Sequence, residues 1–199
     1  MKYNRNQDSS FWKLARSFLH EYMPIVRNLS DKTVESYKIS IKLYLTFIND
    51  EKNITNDKIT FDIFTRANMK DYIVWLKNKN ASAKTINLRM TALKSFLKYC
   101  SEEDFELRVF YNNACTIKGQ KIIKKPIEYL KPEATKAILS AFVGDTVKHR
   151  RNRMILILMY DSGCRVQEIA DLKVSSLHLD VRNPYMTVIG KGRSEERRV

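Results

Sequence analysis

Two short segments in the last forty residues carry side chains suited to phosphate chemistry. The first runs Tyr160-Asp161-Ser162-Gly163-Cys164-Arg165-Val166-Gln167-Glu168-Ile169-Ala170-Asp171-Leu172. Arg165 follows a glycine turn and starts a short helical pattern. A guanidinium there points out of the core beside backbone N–H groups at a helix start, and its planar fork suits two non-bridging phosphate oxygens. Glu168 lies one turn further on and can hold that fork in place. The second segment is Val188-Ile189-Gly190-Lys191-Gly192-Arg193. Lys191 stands between two glycines at the tip of a predicted hairpin, where an ammonium could protonate a leaving oxygen. Each segment alone also has a plain structural reading, an ion pair for the first and a simple turn for the second.

Such groups need a partner rich in phosphate, and the charge balance agrees. The chain has 36 Lys and Arg against 22 Asp and Glu, a formal net charge of +14. The excess is spread along the chain, about +6 over residues 1–105 and +8 over 106–199. Distributed Lys and Arg gain affinity by releasing counterions from a polyanion, which makes nucleic acid the expected partner. The alternative is a merely well-solvated surface. Three cysteines and three histidines show no metal-ligand spacing, so no metal and no cofactor is expected, and the cysteines suit a reducing cytoplasmic setting. No apolar stretch follows the N-terminal Met-Lys-Tyr-Asn-Arg-Asn, and the run from Met154 to Tyr160 is too short to span a membrane.

The elements that position these groups are mainly helical. Ser9 or Ser10 starts a helix with Phe11, Leu14, Phe18, Leu19 and Tyr22 on one face, which Pro24 disturbs. Ser30 or Asp31 opens a second helix with Val34, Tyr37, Ile41, Tyr44, Leu45 and Ile48 inward. A third spans about 67–78. A fourth, capped by Ser82, carries Ile86, Met90, Leu93, Phe96, Leu97 and Cys100 inward. Four amphipathic helices with short connections predict a small bundle. Residues 112–131 lack helical periodicity and hold Gly119, Pro126 and several lysines, so they are predicted to form a basic extended linker. The second half opens with a helix near Pro132. A helix over about 147–160 is apolar on all sides after Arg153 and is expected in the core, with Tyr160 as packing. Gly163 fits a left-handed cap. Residues 185–189 are strand formers, and the returning strand is expected to begin only near Arg197, leaving few cross-strand pairs.

In this order, the motifs resemble those of the tyrosine recombinase (phage integrase) family. Leu156–Leu172 is similar to the family's helix leading into T-G-x-R-x-x-E-x-x-x-L, with Ser162 for the threonine. Val188, Gly190, Lys191, Gly192, Arg197 and Val199 are similar to its V-x-G-K-G-x-x-x-R-x-V hairpin. Ser30, Thr33 and Tyr37 match S-x-x-T-x-x-x-Y, and Thr85–Phe96 resembles a second signature of the helical half. The resemblance implies a mainly α chain: a four-helix SAM-like core-binding domain over residues 9–111, the linker 112–131, and part of an α+β catalytic domain with a small hairpin over 132–199. It implies strand breakage and rejoining of double-stranded DNA through a 3′-phosphotyrosyl intermediate, with Arg165 clamping the phosphate, Glu168 supporting it and Lys191 as general acid. The family's H-x-x-R segment, later His or Trp, tyrosine nucleophile and C-terminal exchange helix are not found in these 199 residues. The chain by itself is therefore expected not to cut DNA, and oligomerisation on DNA to lack that contact. Its expected role is a recombinase fragment or, alternatively, a non-catalytic protein occupying recombination sites. The two halves are expected to clamp DNA from opposite sides. The expected contacts are Lys32, Ser36, Lys84, Thr85, Asn87 and Arg89 near the starts of the second and fourth helices, with Lys118, Lys121, Lys124 and Lys125 of the linker.

Overall fold

The computed structural model describes residues 10–123, 126, 128–142, 144, 146–190 and 193–198. The chain divides into two compact units, residues 1–124 and 125–199.

The first unit is a helical bundle around an aromatic core. Helix α1 (Ser10–Ser17) passes directly into a π-helical stretch, Phe18–Val26. Pro24 lies inside that stretch, where it has no N–H to donate and its ring would crowd the carbonyl four residues back. The wider turn accommodates it, and the N–H of Arg27 reaches the Tyr22 carbonyl five residues back. The proline disturbs the helix, as its position predicts, by widening it rather than ending it. Helix α2 (Asp31–Lys52) stops at Asn53, which takes a left-handed conformation. Helix α3 (Arg66–Asn78) is capped by Thr65, whose side chain accepts the N–H of Asn68. Helix α4 (Ala83–Glu103) is capped in the same way by Ser82, which accepts from the N–H of Thr85.

Inward residues read from periodicity supply most of this core, and Phe64, between α2 and α3, adds to them. Phe11, Phe18, Tyr44, Phe64, Phe96 and Tyr72 are fully buried. Their rings meet in edge-on and offset contacts, such as Tyr44 on Phe64 at 4.9 Å and Tyr44 on Tyr72 at 5.0 Å. The buried Tyr44 hydroxyl has a partner in this core, donating to the Ile63 carbonyl at 2.7 Å.

The predicted linker is corrected at its start. Helix α5 (Arg108–Cys115) carries residues 112–115, and Ala114 is fully buried. At eight residues the helix is too short to show a periodic pattern, so the sequence reads as irregular there. The next residues are extended but not loose. Ile117 is buried, and Lys94 donates to its carbonyl at 2.7 Å.

The second unit holds α6 (Pro132–Ser140), α7 (Val147–Ser162), α8 (Val166–Ala170) and a three-stranded antiparallel sheet. The strands are β1 (Leu177–His178), β2 (Tyr185–Gly190) and β3 (Arg193–Arg198), in that order across the sheet. Two expectations are corrected. The returning strand begins at Arg193, not Arg197, and pairs with β2 from Gly190↔Arg193 to Tyr185↔Arg198. Helix α7 buries none of its residues: Met154 and Tyr160 are 57% and 65% exposed. The described elements of this unit cover one side of the helix only, where Leu158 packs on a small core of Cys164, Met186 and Val188. Tyr160 is therefore not a core residue here.

Candidate functional site

The turn that presents Arg165 is built from three residues. Gly163 takes φ +61°, the left-handed cap that its position predicts, and ends α7. The Ser162 hydroxyl donates back to the Leu158 carbonyl and accepts the N–H of Cys164 at 3.2 Å. Cys164 is buried and anchors the turn to β2 through the small core. The chain then leaves in an extended conformation at Arg165, the N-cap of α8.

Glu168 organises that N-cap twice over. One carboxylate oxygen accepts the backbone N–H of Arg165 at 2.7 Å, and the other accepts the guanidinium Nη1 at 2.5 Å. Glu168 is nearly buried, with its side chain 9% exposed, while the Arg165 side chain is 76% exposed. The carboxylate is thus the fixed member and the arginine the presented one. The N–H of Arg165, read from the sequence as open to an anion, is already used by Glu168, and α8 is only five residues long. The guanidinium, rather than the helix start, is what this turn offers to a phosphate. Lys191, Lys124 and Lys125 lie outside the described residues.

In the first unit, six residues predicted from helix starts fall on one surface. Lys32, Ser36 and Arg89 line a cleft of about 460 Å3 between α2 and α4. Lys84, Thr85 and Asn87 line a second cleft of about 360 Å3 on α4. Leu88 lines both, so the clefts adjoin. The reason is helical spacing: Lys84, Asn87, Leu88 and Thr91 repeat at three and four residues, as do Lys32, Ser36 and Ile39.

The six do not present themselves equally. Lys32 and Lys84 are exposed. Arg89 is half-buried, and its Nη1 donates to the Ser40 hydroxyl at 3.0 Å and the Ser36 carbonyl at 3.3 Å. It ties α4 to α2 from within, and its Nε has no partner among the described residues. The fully buried Tyr72 hydroxyl also lacks one; burial pushes its pKa up against the opposing pull of the Arg89 charge. Asn87 is likewise engaged. Its side-chain N–H donates to the Gln120 carbonyl at 2.9 Å, and its side-chain oxygen accepts the Gln120 N–H at 2.7 Å. The pair copies a strand ladder and lays residues 117–120 on α4. Gly119 passes so close that a Cβ would stand 3.3 Å from the Asn87 side-chain oxygen. This clamp was not legible from sequence, because its partner is backbone 33 residues away. It places Lys118 and Lys121, both exposed, beside the start of α4.

Ile39, Leu88 and Thr91 were not singled out from the sequence. Their signal was available: Ile39 and Leu88 are apolar residues off the buried stripe of their helices. A larger groove of about 590 Å3 lies between α1 and α2, lined by Trp12, Leu19, Ile41 and Leu45 among others, and shares no residue with the two clefts. Among the described residues no group of His, Cys, Asp and Glu could hold a metal, and no helix is long and apolar enough to cross a membrane.

Comparison with known proteins covers both units. Residues 17–104 match the family described as phage integrase, N-terminal SAM-like domain. The tyrosine recombinase XerC of Chlamydia muridarum is 27% identical over 88% of this chain and 58% of its own length. The tyrosine recombinase XerD of Oceanobacillus iheyensis is 30% identical over 89% of this chain and 56% of its own. The chain thus spans a little over half the length of these relatives. Two solved structures share the fold. One is the XerH site-specific recombinase bound to a palindromic difH substrate in a post-cleavage complex, with TM-score 0.65 at 18% identity over 92% of this chain and 53% of that one. The other is the Tn1549 transposon integrase in complex with a circular intermediate DNA, with TM-score 0.63 at 15% identity over 94% and 60%. The helical core, the Ser162–Glu168 turn and the hairpin thus occur together in a chain that is similar to tyrosine recombinases over most of its length and matches the phage integrase N-terminal SAM-like domain over residues 17–104.

Proposed function

We propose that this chain is the DNA-binding part, with the start of the catalytic part, of a site-specific tyrosine recombinase. In that reading it binds duplex DNA through the α2–α4 surface and residues 118–121. The whole protein would break and rejoin strands through a phosphotyrosine intermediate. Arg165, held by Glu168, would grip the scissile phosphate, and Lys191 would protonate the leaving 5′-oxygen. Together with the linker positions Lys124 and Lys125, these are the residues assigned to the function.

The observation that supports it most is the gathering of Lys32, Ser36, Lys84, Thr85, Asn87 and Arg89 on two adjoining clefts at the starts of two long helices. Two helix starts side by side, carrying donors and exposed ammonium groups, suit a major groove and its flanking phosphates. The solved XerH and Tn1549 integrase structures of the same fold are DNA complexes, which favours this reading. An electrophoretic shift with random-sequence duplex at low and high salt tests it. Binding that weakens steeply with salt is expected. No shift at low salt would remove the DNA reading.

A further inference from the structure

We infer that Leu88 and Ile39 read the C5-methyl groups of thymine, so that the chain selects sites with thymines at the positions facing the α2–α4 cleft. The inference rests on the reading of this surface as a duplex-DNA interface and adds to it what the surface recognises.

Leu88 is 47% exposed and Ile39 is 43% exposed. A single exposed apolar side chain needs no explanation. The placement of these two is what carries information. Leu88 lies on the outer face of α4, off the stripe that buries Ile86, Met90, Leu93 and Phe96. It is the one residue shared by the two clefts, so candidate hydrogen-bonding groups flank it on both sides: Lys32 and Ser36 on α2, Lys84 and Thr85 on α4. Ile39 lines the α2 side of the same cleft. The surface therefore sets two exposed apolar side chains among hydrogen-bonding groups, with the carboxylates Asp31 and Glu35 on its α2 side.

That combination matches one base edge in a major groove. Thymine presents an acceptor, O4, beside a methyl group, and the other three bases present no methyl there. A phosphate would want the reverse, donors without an apolar floor. The walls agree, because Asp31 and Glu35 also line the cleft, and Glu35 stands 3.6 Å from Lys38 across one helical turn. Carboxylates oppose phosphate but can accept from a cytosine amino group, so this cleft suits base edges, while the exposed lysines around it suit the backbone.

The test uses the 199-residue chain and DNA that differs by methyl groups alone. A duplex is enriched from a random-sequence library by binding to the chain. It is then remade with deoxyuridine for thymidine, one position at a time, and affinities are compared by fluorescence anisotropy. The expected result is a loss of about fourfold at one or more positions, the worth of one buried methyl. Leu88→Ala and Ile39→Ala, both at exposed positions, should abolish that preference while still binding the uracil duplex. If every uracil duplex binds as tightly as its thymine parent, the methyl reading is overturned and DNA binding stands. If both variants keep the full thymine preference, the assignment to these residues is overturned. If the library is bound but no sequence is enriched, this inference is overturned and DNA binding stands; if no duplex is retained at low salt, the DNA reading falls, and this inference with it.

Discussion

Asn87 and Arg89 stand two residues apart on α4, and each has a second duty that a sequence does not display. Asn87 holds the backbone of Gln120 through both ends of its amide. Removing it strands a donor and an acceptor that now meet only water. Asn87→Ala should release residues 117–120 from α4, read as at least tenfold faster hydrogen exchange at the Gln120 N–H, the equivalent of about 1.4 kcal/mol. Unchanged exchange would mean that Lys94, which donates to the Ile117 carbonyl, holds the segment alone. Arg89 joins α4 to α2 through Ser36 and Ser40, so its removal mixes a binding effect with a packing effect. Lys84 is the cleaner probe because it is exposed and, unlike Arg89, is not seen tying α4 to another element among the described residues. Lys84→Ala should weaken duplex binding by about 1 kcal/mol and lower the salt slope by about one, while leaving the melting temperature in place. An unaltered slope would assign Lys84 to solvent. At Arg165 the sequence is more legible, because Glu168 lies in the same turn and local pairs follow from spacing alone.

At the scale of elements, what could be read from the sequence was what depends on near neighbours. Helices α2 and α4 announce themselves through caps and repeats and α3 through its repeat, and their predicted starts at Ser30 or Asp31, about residue 67 and Ser82 agree with the structure within a residue. Ser82→Ala should cost about 1 kcal/mol, measured by urea unfolding, since it takes the cap from the N–H of Thr85. What could not be read depends on distant partners or on length. The π-helical turn at Pro24, the short α5 and the full register of β2 with β3 are of this kind. Helix α7 misled for another reason: an all-round apolar pattern says that a helix wants cover, not that the described residues supply it. The buried aromatic core also fixes a pH response. Burial holds the Tyr44 and Tyr72 hydroxyls and the Cys100 thiol neutral far above their usual values near 10.0 and 9.0. The unfolded chain ionises these groups at the usual values, so the folded state is at no disadvantage below about pH 9 and loses stability as the pH rises beyond it. Tyr44→Phe removes one such proton. It should flatten the loss between about pH 10 and 12 by up to about 1.4 kcal/mol per pH unit. Parallel stability curves for the variant and the parent would show that another group governs alkaline unfolding.

For the molecule as a whole, the question is whether a net charge of +14 acts as a diffuse field or as a few defined contacts. A diffuse field attracts any polyanion and gives little discrimination, whereas a docked surface neutralises a fixed number of phosphates. The structure offers four exposed lysines around the α2–α4 clefts: Lys32, Lys84, Lys118 and Lys121. The last two are set beside α4 by the Asn87 clamp. If all four meet phosphate, the logarithm of the binding constant should fall against the logarithm of salt with a slope of about −4. Raising salt from about 50 to about 200 mM should then cost about a hundredfold in affinity. The Asn87→Ala variant separates the two pictures, because it changes no charge. In a diffuse field its slope equals that of the parent. With docked contacts, release of the segment withdraws Lys118 and Lys121, and the slope should drop to about −2. An anisotropy titration of parent and variant over a salt series measures both slopes. Equal slopes would show that residues 118–121 contribute only background charge and that the α2–α4 surface binds without them.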